Sequence, residues 1–555
     1  MNIRYQYNYI TSLLKRYGFR GLVLKTLERR QSPMLSYTGR YRQYMPTAEE
    51  LDWQREHPLS FQPLVSIVVP AYETPKQYLR ELIDSILAQS YPNWELCLAD
   101  GSRTDAVERV TAEYREKDAR IRYQRLSKNG GISENTNGGF AMAKGTYIAL
   151  MDHDDLLTAN ALYEMVRSLG EDCPIEQRPL AMIYSDEDKI NSDGTVHSRP
   201  HFKPDFNLEF LRHNNYFCHF LLFSRELLAK AGGLNKEYDG AQDYDFVLRC
   251  VDAGAQVFHV PKILYHWRIH EGSTAGNSAD KSYAFDNGCR AIEAHLNRCG
   301  EPGHAEVTSG LGVYRVAYRL QGTYEITVAA EDKNQLERIR AYYEAQPYDT
   351  KPYRLKIAYR SVDSLVGIET TCSGEYIVYI RKNIVVQPGA LLETLLGICQ
   401  HKHTAIAGAK LLTPKRRVAS CGLLYDSRGN LIPSCGGLRA EYKGYFLHAV
   451  IPQNVSALEF GCVMFRRKAL IKAGGMDKSL KGIYRDADIC FRLTEIGYGI
   501  VVTPEVTAVQ MDLWEEQDTR EAFFRKWRKA LPEPDPCYNS NLSLKAGHTY
   551  EMRQE

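Results

Sequence analysis

The feature that most restricts the fold is the alternation of short apolar runs with helical stretches between residues 64 and 155. Leu64-Val-Ser-Ile-Val-Val69 reads as a buried strand that stops at Pro70. Leu79, Leu82, Ile83, Ile86 and Leu87 then recur at helical spacing, and Glu95-Leu-Cys-Leu-Ala99 is a second strand ending at Asp100-Gly101-Ser102. A polar helix over 105–117 leads to a third strand at 121–126. Asn129-Gly-Gly-Ile-Ser-Glu-Asn135 turns into a helix through Ala143, and a fourth strand runs into Asp152. This alternation predicts an α/β fold with a parallel, doubly wound sheet. Ligands of such sheets sit beyond the carboxyl ends of the strands.

Gly145-Thr-Tyr-Ile-Ala-Leu-Met-Asp-His-Asp-Asp155 delivers three carboxylates to that edge. Aspartates separated by a single residue can hold a hard divalent ion that also takes phosphate oxygens. A solvated acidic turn looks the same when it stands alone. Here Tyr72-Glu73 and Asp100-Gly101-Ser102 collect on the same rim. Asn129-Gly130-Gly131 precedes a helix N-terminus, a natural place for phosphate, although neither G-x-G-x-x-G nor a Walker loop is present. The coincidence on one edge favours a nucleotide site over ordinary turn chemistry.

These blocks, Val65-Ser-Ile-Val-Val-Pro-Ala-Tyr-Glu73, Asp100-Gly101-Ser102, Asn129 to Asn135 and Gly145 to Asp155, resemble in order and spacing the family 2 glycosyltransferases, inverting enzymes of the GT-A fold. The resemblance implies a Rossmann-like domain with a donor site of Pro70, Ala71, Tyr72, Glu73, Asp100, Gly101, Ser102, Asn129, Gly131, Asn135, Asp152 and His153. Pro70, Tyr72 and Glu73 would line the base and ribose pocket, Asp100 would bond the base edge, and Asp152 would approach the ribose. Asp154 would bind Mg2+ or Mn2+ on the diphosphate. Tyr184-Ser-Asp-Glu-Asp-Lys189, Phe202-Lys-Pro-Asp205, Asn214-Asn-Tyr216 and His219 resemble the branch that builds O-antigen and rhamnan-type polysaccharides, which puts Asp186, Asp188, Lys189 and Gln242 on the acceptor side. Gly240-Ala-Gln-Asp-Tyr-Asp245 occupies the place of the catalytic base, with Asp243 as the base and Asp245 as the alternative. Tyr265-His-Trp-Arg-Ile-His-Glu-Gly-Ser-Thr274 resembles the closing loop, with His266 as metal ligand and Arg268 and His270 on the diphosphate.

The residue types suit the reaction. Displacing a nucleoside diphosphate needs negative charge neutralised on the leaving group, which a divalent ion and a cation such as Arg268 supply. The acceptor hydroxyl needs a carboxylate on the opposite face to take its proton.

The second half repeats the first. Gly374-Glu-Tyr-Ile-Val-Tyr-Ile380 matches Gly145 to Met151, Lys472-Ala-Gly-Gly475 matches Lys230-Ala-Gly-Gly233, and Asp486 to Arg492 matches Asp243 to Arg249. Matched blocks in one order indicate duplication. In this alignment Arg381-Lys382-Asn383 replace Asp152-His153-Asp154, Ala329 replaces Pro70, Glu331 replaces Tyr72 and Tyr359 replaces Asp100. A cationic pair at the metal position repels an ion, so this copy reads as degenerate. The expected organisation is a basic helical N-terminal arm with linker (1–60), a catalytic domain (61–312) and a second GT-A-like domain with a tail (313–555), the two domains in tandem.

With 44% hydrophobic and 25% charged residues the chain has a globular composition, and its thirteen cysteines contain no C-x-x-C pair, which argues against a disulfide framework or zinc site. No apolar run approaches transmembrane length and no signal peptide opens the chain, so the expectation is a cytoplasmic protein. Residues 1–45 carry nine Lys/Arg against Glu28 alone, making the arm +8 and the remainder −6. Such an amphipathic arm either lies on the inner face of an anionic membrane or packs on its own protein. Nucleic acid is not expected, since no recognition module accompanies the charge. The expected partners are a UDP- or dTDP-linked sugar and a glycan or lipid-linked glycan acceptor. A nucleotidyltransferase and a non-catalytic glycan-binding scaffold are the rival readings.

Overall fold

The computed structural model describes residues 37–270, 282–308, 312–346, 351–512 and 519–553. The helix expected in the basic arm, and Glu271 to Thr274 of the closing motif, lie outside the described residues. The chain clusters into two compact units, one of Thr38–Arg319 and one that takes up the chain from Leu320. The hairpin of Gly303–Val307 and Tyr314–Tyr318 stays with the first unit because the Tyr318 hydroxyl donates to Glu209 Oε2 (2.8 Å). That unit therefore runs past residue 312.

Its sheet contains β1 (Val65–Ala71), β2 (Trp94–Asp100), β3 (Ile121–Arg125), β4 (Tyr147–Leu150), β5 (Leu156–Leu157), β6 (Ala181–Ile190), β7 (His197–His201), β8 (Leu221–Ser224) and β9 (Gln256–Arg268). The order is β3-β2-β1-β4-β8-β6-β9-β5, with β7 beside β6. β1 to β4 pair in parallel, as do β6 and β9, while β8 runs antiparallel between them. The sheet is mixed and mainly parallel. β1 and β2 are buried along their whole length, as central parallel strands covered on both faces must be. Helix Lys76–Leu87 buries the expected stripe of Leu79, Leu82, Ile83 and Ile86 against them, each contributing about 1.5–3 kcal/mol.

The second unit repeats this order. Tyr353–Ser361, Gly322–Ala330, Tyr376–Ile380, Cys462–Arg466, Thr404–Leu412, Gly499–Gln510 and Ile384–Val386 follow one another as β2-β1-β4-β8-β6-β9-β5 do. Both copies need a glycine where the first strand passes the fourth. A Cβ on Gly145 would lie 2.4 Å from the Leu64 carbonyl oxygen, and one on Gly374 would lie 2.6 Å from the Thr327 nitrogen. Gly145 N–H donates to Ser66 Oγ and Gly374 N–H to Thr327 Oγ1 (2.8 and 3.0 Å).

This register corrects part of the alignment. Val65 pairs with Tyr147 and Ile326 with Tyr376, so Glu331 stands at Pro70 and Ala329 at Val68. Val65 also pairs with Trp94 and Ile326 with Ile357, which puts Tyr359 at Leu96 and exposed Asp363, just past the strand end, at Asp100. Apolar runs in buried parallel strands carry no alternation to mark register, so they slide freely in a sequence comparison. Arg381, by contrast, does follow the strand that corresponds to β4. Among the described residues no helix is long and apolar enough to cross a membrane.

Candidate functional site

The rim of the first unit is tied together by the polar residues that end its strands. Glu73 donates its N–H to Ser102 Oγ (2.8 Å), and its carboxylate accepts from Arg103 N–H (2.7 Å) and Thr104 Oγ1 (2.9 Å). The Arg103 amide and then the Thr104 hydroxyl hold this carboxyl below its ordinary pKa. Glu73 adopts a positive φ of 47°, a conformation that the Ser102 contact helps retain. Asp100 is buried, accepting Ser102 N–H and the Tyr123 hydroxyl (both 2.8 Å). Asn135 lies so close to Gly101 that a Cβ there would come within 2.7 Å of its Nδ2. Asn129 Oδ1 accepts from Gly131 N–H and from Asn135 Nδ2 (3.1 and 3.0 Å). Thus Asp100, Asn129, Gly131 and Asn135 form the frame of the rim, Pro70 and Ala71 are buried in β1, and Tyr72 presents an exposed ring.

The end of β4 carries the acids. Asp152 keeps half of its side chain open at the floor of the cleft. Burial among protein atoms, then the charges of Asp154 and Asp243, raise its pKa, and His219 opposes them. Asp154 lies 2.7 Å from His270 Nε2, and His153 Nδ1 meets Thr74 Oγ1 at 3.0 Å. Asp155 is buried, accepting the Tyr265 hydroxyl (2.6 Å) and Arg268 N–H (2.7 Å). Burial and the charges of Asp152 and Asp154 push its carboxyl well up.

Two residues of the closing motif differ from expectation. His266 does not join Asp154. It lies inside β9, where parallel pairing puts it beside Asp188 of β6, and its Nδ1 is 2.5 Å from Asp188 Oδ1. Asp188 Oδ2 meets His197 Nδ1 at 2.7 Å, so Asp188, His197 and His266 form a second group with metal-ligand chemistry. His270, past the strand end, is the histidine that reaches the D-x-D acid. Arg268 is fully buried rather than open to the rim. Its guanidinium is engaged by the Asp154 carbonyl (2.7 Å), the Ser192 carbonyl (2.8 Å) and Glu81 (2.6 Å), beneath the Tyr78 ring.

His219 stands beside the acids. Its Nε2 lies 3.7 Å from Asp152 and its Nδ1 3.5 Å from Glu187, with the ring stacked on Tyr265. Burial opposes its charge, but Glu187, Asp152 and Asp155 outweigh burial and hold its pKa up at about 9.

Asp243 opens the helix Gln242–Asp252, and its Oδ2 accepts from Asn215 Nδ2 (3.1 Å) and Cys218 Sγ (3.0 Å). Asp245 is buried against Arg249 (2.8 Å), which also donates to the carbonyls of Ala231 and Gly233. Asp488 and Arg492 repeat this clamp with Ala473 and Gly475, which explains the two Lys-Ala-Gly-Gly blocks. Gln242 accepts Gly240 N–H at the helix start. The acceptor-side expectation is overturned for Asp186 and Asp188, both fully buried. Asp186 accepts Lys203 N–H and lies 2.9 Å from His259 Nε2. Lys189 is lowered to about 8 by burial, its ammonium 3.6 Å over Trp267. Asn215 and His219 entered the sequence reading only as parts of resembling blocks and Cys218 not at all, because nothing in a sequence shows which of them reach Asp152 and Asp243.

Residues 66–232 match the model of glycosyl transferase family 2. The uncharacterized protein y4gI of Sinorhizobium fredii is 32% identical over 87% of this chain and 58% of its own length. The O-antigen biosynthesis protein RfbC of Myxococcus xanthus is 29% identical over 88% of this chain and 41% of its own. Chondroitin synthase of Pasteurella multocida is 30% identical over 39% of this chain and 22% of its own. The chain spans about half the length of the first two relatives.

Proposed function

From the match of residues 66–232 to the model of glycosyl transferase family 2, we propose that the first unit is a metal-dependent inverting glycosyltransferase. It moves a sugar from a UDP- or dTDP-linked donor to a cell-surface polysaccharide or lipid-linked glycan. The observation that carries this reading is the meeting of Asp152, the Asp154–His270 pair and Asp243 on one strand-end rim. Likeness to polysaccharide-building relatives supports the acceptor class.

A carboxylate oxygen and an imidazole nitrogen converging at the end of β4 fit a divalent cation, so Asp154 and His270 would hold Mg2+ or Mn2+. When bound, the ion offsets negative charge on the diphosphate. The chain's own residues do the rest. Tyr72 offers a ring face to the base, the Glu73–Ser102–Asn135 frame fixes the rim, and the His219 imidazolium balances charge beside Asp152. Asp243 takes the proton of the acceptor hydroxyl as that oxygen attacks the anomeric carbon, and the leaving diphosphate departs from the far face. Asn215 and Cys218 both donate to Asp243 Oδ2, which orients the carboxylate.

The second unit, by this reading, is a transferase fold without the chemistry. The test is a panel of nucleotide sugars screened by thermal shift with Mg2+ or Mn2+, followed by product analysis. A donor should raise the unfolding temperature only with metal, and turnover should release nucleoside diphosphate. Release of pyrophosphate would establish a nucleotidyltransferase instead, and donor binding without turnover a glycan-binding scaffold.

A further inference from the structure

The second unit contains a built cleft that the transfer reaction does not use. The turn Asp426–Asn430 is locked by Asp426, which accepts Arg428 N–H (3.0 Å), Asn430 N–H (2.8 Å) and Asn430 Nδ2 (2.8 Å). Gly429, at φ +73°, lets this turn approach the helix Arg520–Trp527 so closely that a Cβ would fall 2.7 Å from Phe524 Cδ2. The helix is pinned from its other side, where Trp527 Nε1 donates to Asp488 (2.9 Å) and Lys526 pairs with Asp488 (2.6 Å) and Asp477 (2.9 Å). Pinning that face turns Arg525 outward, beside Arg428 and Arg528.

The result is a cleft of about 460 Å³ lined by Arg428, Arg520, Arg525 and Arg528 around Phe524, with Glu521 as its acid. Some surface cations of this unit are paired, as Arg416 is with Glu441 (3.0 Å). Arg428, Arg525 and Arg528 form no ion pair among the described residues. Ser427 and Arg428 also line a second, larger cavity of about 870 Å³. Its wall is the tail, anchored where Asp535 accepts Tyr425 N–H (3.1 Å) and the Ser456 hydroxyl (2.5 Å). Ser540, Ser543, His548 and Glu551 face this cavity with donors and acceptors.

We propose that this double cleft binds an anionic saccharide, a glycan bearing carboxylate or phosphate groups. The guanidinium groups of Arg428, Arg525 and Arg528 match the planar acceptor pairs of both anions, while the larger cavity, which carries Asp426, Glu533, Asp535 and Glu551 besides Ser540 and Ser543, suits the hydroxyl groups of such a ligand rather than its charges. Single-stranded nucleic acid finds no stacking face in the larger cavity, where Tyr425 and Tyr538 are only 3% and 5% exposed, which leaves the partly open Phe524 of the arginine cleft as its ring contact. The proposal is independent of turnover in the first unit, since it concerns binding alone.

Titration calorimetry on the full chain tests it with a glucuronate-containing oligosaccharide, a phosphate-bearing oligosaccharide, a neutral maltooligosaccharide of equal length, inorganic phosphate and an oligothymidylate. At least one anionic saccharide should bind and the neutral one should not, and the two anionic probes separate carboxylate from phosphate recognition. Arg525→Gln with Arg528→Gln, both exposed positions, should weaken that binding by roughly 10- to 100-fold with an unchanged circular dichroism spectrum. Glu521→Gln should keep or strengthen it. Equal affinity for the neutral glycan, undiminished binding by the double variant, binding of phosphate alone, or tighter binding of oligothymidylate would each overturn the proposal.

Discussion

The two units share a strand order and a buried Asp–Arg clamp, yet they treat the floor of the cleft in opposite ways. In the first, burial, with added repulsion from Asp154 and then Asp243, raises Asp152 above its ordinary pKa. In the second, Arg381 stands at Asp152 and reaches Asp486, the residue matched to Asp243, at 2.6 Å with Asp486 fully buried. Asp486 also accepts Phe460 N–H (3.0 Å). The ion pair joins the two positions at which the first unit holds Asp152 and Asp243. The sheet survives in both, so it does not depend on the acids. The first unit holds clustered acids that a cationic ligand would neutralise under the proposed function, whereas the second pairs its acid internally.

The largest expected effect comes from removing the metal acid that the second unit lacks. Asp154→Ala should abolish metal-dependent donor binding, measured by titration of the nucleoside diphosphate with and without Mn2+, while the fold remains. Unchanged metal dependence would erase the distinction between the units at that position. Next comes the base. Asp243→Asn should leave donor affinity intact and lower kcat by roughly 10²–10⁴-fold, with inverted anomeric configuration in the wild-type product. Asp245→Asn should instead lower stability, because Arg249 would lose its buried partner. A retained configuration, or full kcat in Asp243→Asn, removes the assignment.

The contrast is sharpened from the other side by Asp486→Asn. Removing one partner of a buried ion pair typically costs about 3–5 kcal/mol. The loss should appear in the second unit's unfolding transition by calorimetry, with kcat unchanged below that transition. Replacing both residues, Arg381→Met with Asp486→Leu, should recover most of the stability. A fall in kcat from Asp486→Asn in a stable protein would mean that the second unit takes part in the reaction.

How much of this was legible in the sequence follows from what each feature depends on. The strands and helices over 64–152 were readable because their apolar spacing is local, and the structure reproduces them within a residue or two of the expected bounds. Duplication was readable because Gly145 and Gly374 meet the same backbone crowding, and Arg249 and Arg492 the same carboxylates. Long-range register was not readable. Whether His266 or His270 meets Asp154 depends on where β9 pairs with β6, and that pairing assigns His266 to Asp188. Arg268 looked like a phosphate ligand by type, but Glu81 and Ser192, which bury it, lie far away in sequence. Cys218 and Asn215 became meaningful only once the fold brought them to Asp243.

The smallest effect should be a pH dependence confined to the first unit. There the cation beside the acids is His219, which titrates, while the second unit has Arg381, which does not in any ordinary range. His219 is held at about 9, against roughly 6.5 in the unfolded chain. Its stabilising contribution is therefore complete below pH ~6.5 and is lost as pH rises toward 9. Raised carboxyls act in the same direction, because a folded state that binds more protons than the unfolded one loses stability as pH rises. Lys189, lowered to about 8, opposes the trend only above that value, so the clearest window is pH ~6.5 to 8. Hydrogen exchange, corrected for its intrinsic pH dependence, should show β4 losing protection across that window by at most ~2 kcal/mol, with the Tyr376–Ile380 strand unchanged. His219→Gln should flatten the slope of β4. Parallel loss in both strands would place the titrating group outside this cleft and remove His219 as its cation.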